Sequence, residues 1–124
     1  MKFIFISVLL FPFILSAQYN AKSYEDGHGK KVFVPMGDIS FADEVVDFKR
    51  GKPAAIAKAC DSMHALGIPD YNGLDGNFLT LGCGGVLTLR FTDNALIDID
   101  GPDLYVFEVG KFIEPTLLEI SEDG

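Results

Sequence analysis

The sequence predicts an all-β domain, an antiparallel sandwich occupying residues 31–124. Three observations predict it. Val86 to Thr92 alternates, with Leu87, Leu89 and Phe91 on one face and Thr88, Arg90 and Thr92 on the other, the period of two that marks a strand with one buried and one wet side. Leu104 to Val109 is apolar on both faces apart from Glu108, as in a strand at the middle of a sandwich. Ala54 to Leu66 has the best helix composition, yet it holds too few periodic apolar positions for more than one or two helical turns.

The chain has 124 residues, enough for one domain. Its start is of another kind. Lys2 is followed by an apolar run, Phe3 to Leu15, broken only by Ser7 and Pro12, and then by the small residues Ser16 and Ala17. That order reads as a secretory signal peptide over residues 1–17, cleaved after Ala17. A membrane anchor is the alternative, but the run falls short of the ~20 residues a spanning helix needs. The mature chain is therefore expected to carry no transmembrane segment and to be exported: periplasmic, outer-membrane-associated or at the cell surface.

Charge narrows the partners. Removing Lys2 from the ten basic residues leaves nine against eighteen acidic ones, a net charge near −9. Phosphate contacts need Lys and Arg, so nucleic acid is excluded as a partner. An anionic membrane surface is disfavoured for the same reason. Export also bears on Cys60 and Cys83, since it places them where disulfides form. A Cys60–Cys83 bond is expected, worth about 3 kcal/mol if unstrained; two free thiols are the alternative. No CxxC spacing or neighbouring His pair marks a metal site at either cysteine.

Residues 18–30 are polar and read as a flexible lead into the domain, with His28 an exposed loop histidine among glycines and charges. Lys31 to Pro35 is a short β run that Pro35 ends or confines to a sheet edge. Ser40 to Phe48 admits two readings. Phe41, Val45 and Phe48 make a helical stripe, with Ser40 and Asp43 resembling a capping box, whereas the β-branched residues favour a loop entering a short strand. The latter is preferred. Arg50 to Pro53 is a turn.

Gly67 to Asn77 is a long loop with turn signals at Pro69, Asn72-Gly73 and Asp75-Gly76. Phe78 to Leu81 begins a strand, and Gly82, Gly84 and Gly85 beside Cys83 imply a bulge or a close backbone approach. The glycines are not a phosphate loop, because the GxGxxG spacing is absent and a strand follows. Pro115 to Ser121 offers a last strand, Leu118 and Ile120 inward and Glu119 outward. Asp123-Gly124 is a hairpin signal with no returning strand, so the chain is expected to be the N-terminal part of a longer protein.

Four phrases, SFADEVVDF, ALGIPD, LGCGGVLTLRFTDN and GPDLYVFEVG, taken in order, resemble an extracellular β-sandwich module found at the front of OmpA-like outer-membrane proteins and in other bacterial cell-surface proteins. The resemblance covers about Val32 to Gly124. It implies a jelly-roll-like sandwich, incomplete at its C-terminal end here, with a non-catalytic surface role. It names no ligand and transfers no catalytic residue.

One constellation suggests chemistry. Asp93, Asn94, Asp98, Asp100 and Asp103 fall within eleven residues. Calcium takes six to eight oxygen ligands of this type, which makes the loop a candidate calcium site, although its spacing is not that of an EF-hand. The alternative is that Asp93 and Asn94 cap a turn and Asp100-Gly101 makes a bend. Tyr71 in PDYNG is the candidate ligand-facing aromatic. No GxSxG elbow accompanies the serines, and His64 has no partner spaced to orient it. Pairs of acids could serve a glycosidase, but any acidic chain has them. Three readings follow: an envelope module binding glycan or protein; an accessory carbohydrate module or fragment of a secreted hydrolase; and a spacer without ligand.

Overall fold

The computed structural model describes residues 20–54, 57–71, 77–110 and 114–121, and within them the regular structure is four short antiparallel strands and three short 3-10 turns. In chain order the strands are β1 (Lys22–Glu25), β2 (Lys31–Val34), β3 (Glu44–Lys49) and β4 (Val86–Arg90). They form two antiparallel pairs, β1 with β2 and β3 with β4. The 3-10 turns lie at Gly37–Ser40, Ala57–Ala59 and Ser62–Ala65, the last two where one or two helical turns are expected. No helix among the described residues is long and apolar enough to cross a membrane. The signal-peptide reading of residues 1–17, the Asn72-Gly73 and Asp75-Gly76 turns and the closing Asp123-Gly124 fall outside the described residues.

β1 lies inside residues 18–30, the segment expected to lead into the domain. Its register opposite β2 sets Tyr24 against Val32 and Ser23 against Phe33. The connecting turn explains why so polar a stretch can pair. The Asp26 carboxylate accepts the main-chain N–H groups of His28 at 2.8 Å and Lys30 at 2.9 Å, while its own N–H donates to the Lys30 carbonyl at 3.0 Å. Gly27 and Gly29 supply the left-handed backbone, φ 77° and 84°, that other residues resist. Tyr24 then packs edge-on against Phe41, 4.8 Å between ring centroids. Pro35 ends β2, as expected.

β3 resolves the double reading of Ser40 to Phe48 in favour of a strand. Opposite β4, Val45 pairs with Leu89 and Phe48 with Leu87, and the register slips between Val45 and Asp47. Leu87 and Leu89 share a face, so the extra residue also puts Val45 and Phe48 on one face although they are three apart. A bulge has written a helical spacing into a strand. Val46, at the slip, is turned outward.

Beyond β3 and before β4 the main chains touch. Gly51 N–H donates to the Leu81 carbonyl at 2.8 Å, Lys52 N–H to the Cys83 carbonyl at 2.9 Å, and Gly85 N–H to the Gly82 carbonyl at 3.0 Å. A Cβ on Gly51 would stand 2.6 Å from both the Gly82 carbonyl carbon and the Gly85 nitrogen, so the glycine cluster is the close approach foreseen. Phe78 to Leu81 is not a strand; it follows this seam and the hydrogen bond from Thr80 N–H to the Ala59 carbonyl at 2.8 Å.

The same seam places the two cysteines. Cys60 follows Ala59 beside Thr80, whereas the turn at Gly82–Gly85 carries Cys83 to Gly51 and Lys52, where it is exposed. No disulfide joins Cys60 and Cys83.

Little is deeply buried. Among the described residues the buried hydrophobic side chains are Ala42 and Ala59. A row of rings does the larger packing: Tyr24 on Phe41, Phe41 on Phe107 at 5.9 Å, and Phe107 on Tyr105 at 4.8 Å. Leu104 to Val109 and Pro115 to Ser121, both expected as strands, have no strand assignment, and Tyr105, Val106, Leu118 and Ile120 are exposed. The apolar pattern is there, but among the described residues no main chain pairs with Leu104 to Val109 or Pro115 to Ile120.

Candidate functional site

The acidic loop begins where β4 ends, and Asp43 fixes that point. Asp43 N–H donates to the Arg90 carbonyl at 3.0 Å. Its carboxylate accepts the Thr92 N–H at 2.6 Å and the Thr92 hydroxyl at 3.0 Å. The Thr92 N–H is the main reason the Asp43 carboxyl titrates below the ordinary range, with the hydroxyl and the Asp93 N–H adding to it. Alongside, Arg90 Nη1 donates to Glu44 Oε2 at 3.0 Å across the strand pair.

Further on, three of the five residues with calcium-ligand chemistry, Asp93, Asn94 and Asp103, make hydrogen bonds within the loop and to Ile39. Asn94 Nδ2 donates to the Ile39 carbonyl and, at 3.2 Å, to Asp93 Oδ1. Asp103 Oδ1 accepts the Ile99 N–H at 3.1 Å, closing the Asp100-Gly101 bend. All five lie in the described residues, and no group of three or more His, Cys, Asp or Glu side chains is gathered there as a cation would require. Asp93, Asn94 and Asp103 instead do the turn-forming work that short polar side chains commonly do. Asp98 and Asp103 do share one feature, an open hollow of about 380 Å³ lined also by Leu96, Ile97, Leu104 and Ile120.

A second cluster forms at the tip of the β1–β2 hairpin. Asp26, 5% exposed, is the one buried charged residue among those described. Besides the two turn N–H groups it accepts the Tyr105 hydroxyl at 3.4 Å. The Lys30 N–H, then the His28 N–H and Tyr105, hold its carboxyl below the usual range. Tyr105 moves the opposite way, raised first by desolvation and then by Asp26. The His28 ring reaches the Glu108 carbonyl at 3.1 Å, and Glu108 Oε1 accepts the Glu114 N–H at 2.8 Å. His28 is thus exposed, as expected, and still ties the hairpin to a segment eighty residues away. Asp-Gly-His-Gly is visible as a turn in the sequence, but nothing there identifies its distant partner.

Tyr71 stands beside this tip. It is 38% exposed, edge-on to Phe78 with centroids 5.7 Å apart, and a Cβ on Gly27 would meet its ring at 4.0 Å. Nearby, Asn77 Nδ2 donates to Asp70 Oδ2 at 3.1 Å. His64 is exposed in the 3-10 turn capped by Asp61, which accepts the Met63 N–H at 3.0 Å. A third polar group lies at the hairpin's other end, where Lys22 and Tyr24 both donate to Asp38. Lys22 foremost, then Tyr24, lowers the Asp38 carboxyl, while desolvation foremost, then Asp38, pushes Tyr24 up to about 12.

These shifts say what the clusters can do. A general acid needs a carboxyl moved up towards neutrality, and a tyrosyl base needs a phenol moved down. Asp26, Asp38 and Asp43 move down, and Tyr24 and Tyr105 move up. Each group is fixed in its ordinary charge state and serves as a tie between segments. Compared with protein-family models, curated proteins and solved structures, the chain has no match.

Proposed function

We propose that the chain is an exported, non-catalytic β module of the bacterial cell envelope, with a binding or structural role in an OmpA-like surface protein. A jelly-roll-like sandwich is the architecture this reading implies, with the antiparallel pairs as parts of its sheets. One observation carries the reading. The polar clusters are spent on holding segments together, while Ile97, Ile99, Val106, Leu117 and Ile120 stand in solvent. A surface of that kind suits recognition better than chemistry. The acidic composition and the apolar start of the chain add support.

Expression of the full chain in a Gram-negative bacterium, followed by fractionation and intact-mass measurement, tests it. The expected product lies in the envelope or periplasm with Gln18 as its first residue. Uncleaved product in the cytosol overturns the reading. Tyr71, exposed beside the hairpin tip, favours the accessory carbohydrate module as a second reading, and retention of the protein on insoluble polysaccharide, lost in Tyr71→Ala, would select it.

A further inference from the structure

We propose that the face built from residues 94–109 and 114–120 takes an added strand from a cationic partner polypeptide, in which apolar residues alternate with Lys or Arg. The inference deepens the binding-module reading and rests on it, but not on the place of the module in the envelope.

The first argument is the main chain. Among the described residues, these two segments donate and accept no hydrogen bond with another main-chain group. Their few main-chain ties go to side chains: Ile99 N–H to Asp103, Glu114 N–H to Glu108, and the Glu108 carbonyl to His28. Both segments nonetheless carry β-type sequence, Leu104 to Val109 and Pro115 to Ile120. Unpaired β-type backbone is a template for strand addition.

The second argument is side-chain chemistry. Ile97 is 64% exposed, Val106 60%, Leu117 85% and Ile120 66%. Leu96, Ile97, Leu104 and Ile120 come together around the open hollow, which gives an incoming apolar side chain a place to sit.

The third argument, charge, chooses the occupant. Asp98 and Asp103 line the hollow, Asp100, Glu114 and Glu119 flank it in sequence, and Lys111 is the one basic residue between Arg90 and Ser121. A second copy of this chain would bring the same carboxylates face to face, with a net −8 on each side. A strand with Lys or Arg at alternate positions meets them with opposite charge while its other face fills the hollow.

Fluorescence anisotropy on the purified full chain tests the proposal with three short labelled peptides. The first alternates valine and lysine, the second valine and glutamate. The third is the valine–lysine peptide N-methylated at every second residue, so that it keeps its charge and loses donors. The first should bind, and the other two should bind about tenfold more weakly or worse, as expected when main-chain hydrogen bonds and charge both contribute. Ile97→Ser with Ile120→Ser should weaken the first peptide while amide protection in β3 and β4 stays unchanged, which separates a lost site from a lost fold. Equal binding of the N-methylated peptide would reduce the face to a charged patch and overturn strand addition. So would absence of binding, or a concentration-dependent dimer abolished by the two serine substitutions. Fractionation results do not bear on any of these outcomes, so the two readings fail separately.

Discussion

The β3–β4 region and the segment that follows it carry the same kind of sequence and end in different states. In the first, Val45, Phe48, Leu87 and Leu89 share a face, the register is fixed, and Gly51, Gly82 and Gly85 let the flanking main chains touch. In the second, Leu104 to Val109 and Pro115 to Ile120 are at least as apolar, yet Tyr105, Val106, Leu117, Leu118 and Ile120 stand in solvent and the main chain pairs with no other main chain among the described residues. Hydrophobic pattern makes a segment fit for a sheet. What makes it a strand is a second segment at the right distance, and here glycine decides where two segments can meet.

The widest contrast should appear in amide exchange. Paired amides of β3 and β4 should exchange more slowly than those of 104–109 by on the order of a hundredfold, the equivalent of about 3 kcal/mol of local stability. Equal protection would erase the difference between the regions. Next comes the glycine seam. Gly51→Ala should cost about 3 kcal/mol, because its Cβ meets main-chain atoms that cannot rotate away. Ile97→Ala, in the exposed region, should stay within about 0.5 kcal/mol, and urea midpoints of the two variants compare them directly.

A smaller effect follows from pH. The carboxyls of Asp26, Asp38 and Asp43 titrate lower in the folded chain than the ordinary 3.8. The native state therefore holds their protons less tightly than the unfolded state. Their contribution is complete above that value and is lost as pH falls through the depressed folded values. Tyr24 works in the opposite sense: raised to about 12, it contributes below pH 10.0 and loses that contribution as pH rises towards 12. Thermal melts across the acid range should drop more steeply in wild type than in Asp26→Asn, which has no charge there to lose. The smallest expected effect is that of calcium. With Asp93, Asn94 and Asp103 engaged in turns, neither calcium nor a chelator should move the melting temperature. A rise on adding calcium would return the loop to the ion sites.

The all-β class, β2, β3, β4 and the short helical turns after Ala54 were legible in the sequence, since period, β-branching and Pro35 act locally. β1 was not, because its pairing depends on Asp26 taking up two turn N–H groups, which composition does not display. The bulge misled in an instructive way, since it gave Val45 and Phe48 a helical spacing inside a strand. The structure holds no Cys60–Cys83 disulfide: Cys60 follows Ala59, whose carbonyl meets Thr80, and Cys83 lies on the turn at Gly82–Gly85. Of the site residues, the Asp-rich loop was read as a set of turns or an ion site, and the turns account for its contacts. The hairpin-tip cluster was invisible, because Asp26 and Tyr105 lie 79 residues apart.

That separation bears on the order in which the chain assembles. A hairpin such as β1–β2 closes locally, within about 1–10 μs. Tying its tip to Tyr105 and Glu108 means closing a loop of 79 to 80 residues, an entropy cost of about 4 kcal/mol before any contact repays it. The hairpin can form early, but Asp26 and His28 meet their partners only once residues 105–108 have been placed by the rest of the fold. Contacts made so late stabilise the native state without stabilising the transition state. Tyr105→Phe should accordingly speed unfolding and leave the folding rate alone. During synthesis the hairpin tip leaves the ribosome long before its partners exist, and in that interval Asp26 has only the turn N–H groups of its own hairpin to satisfy it.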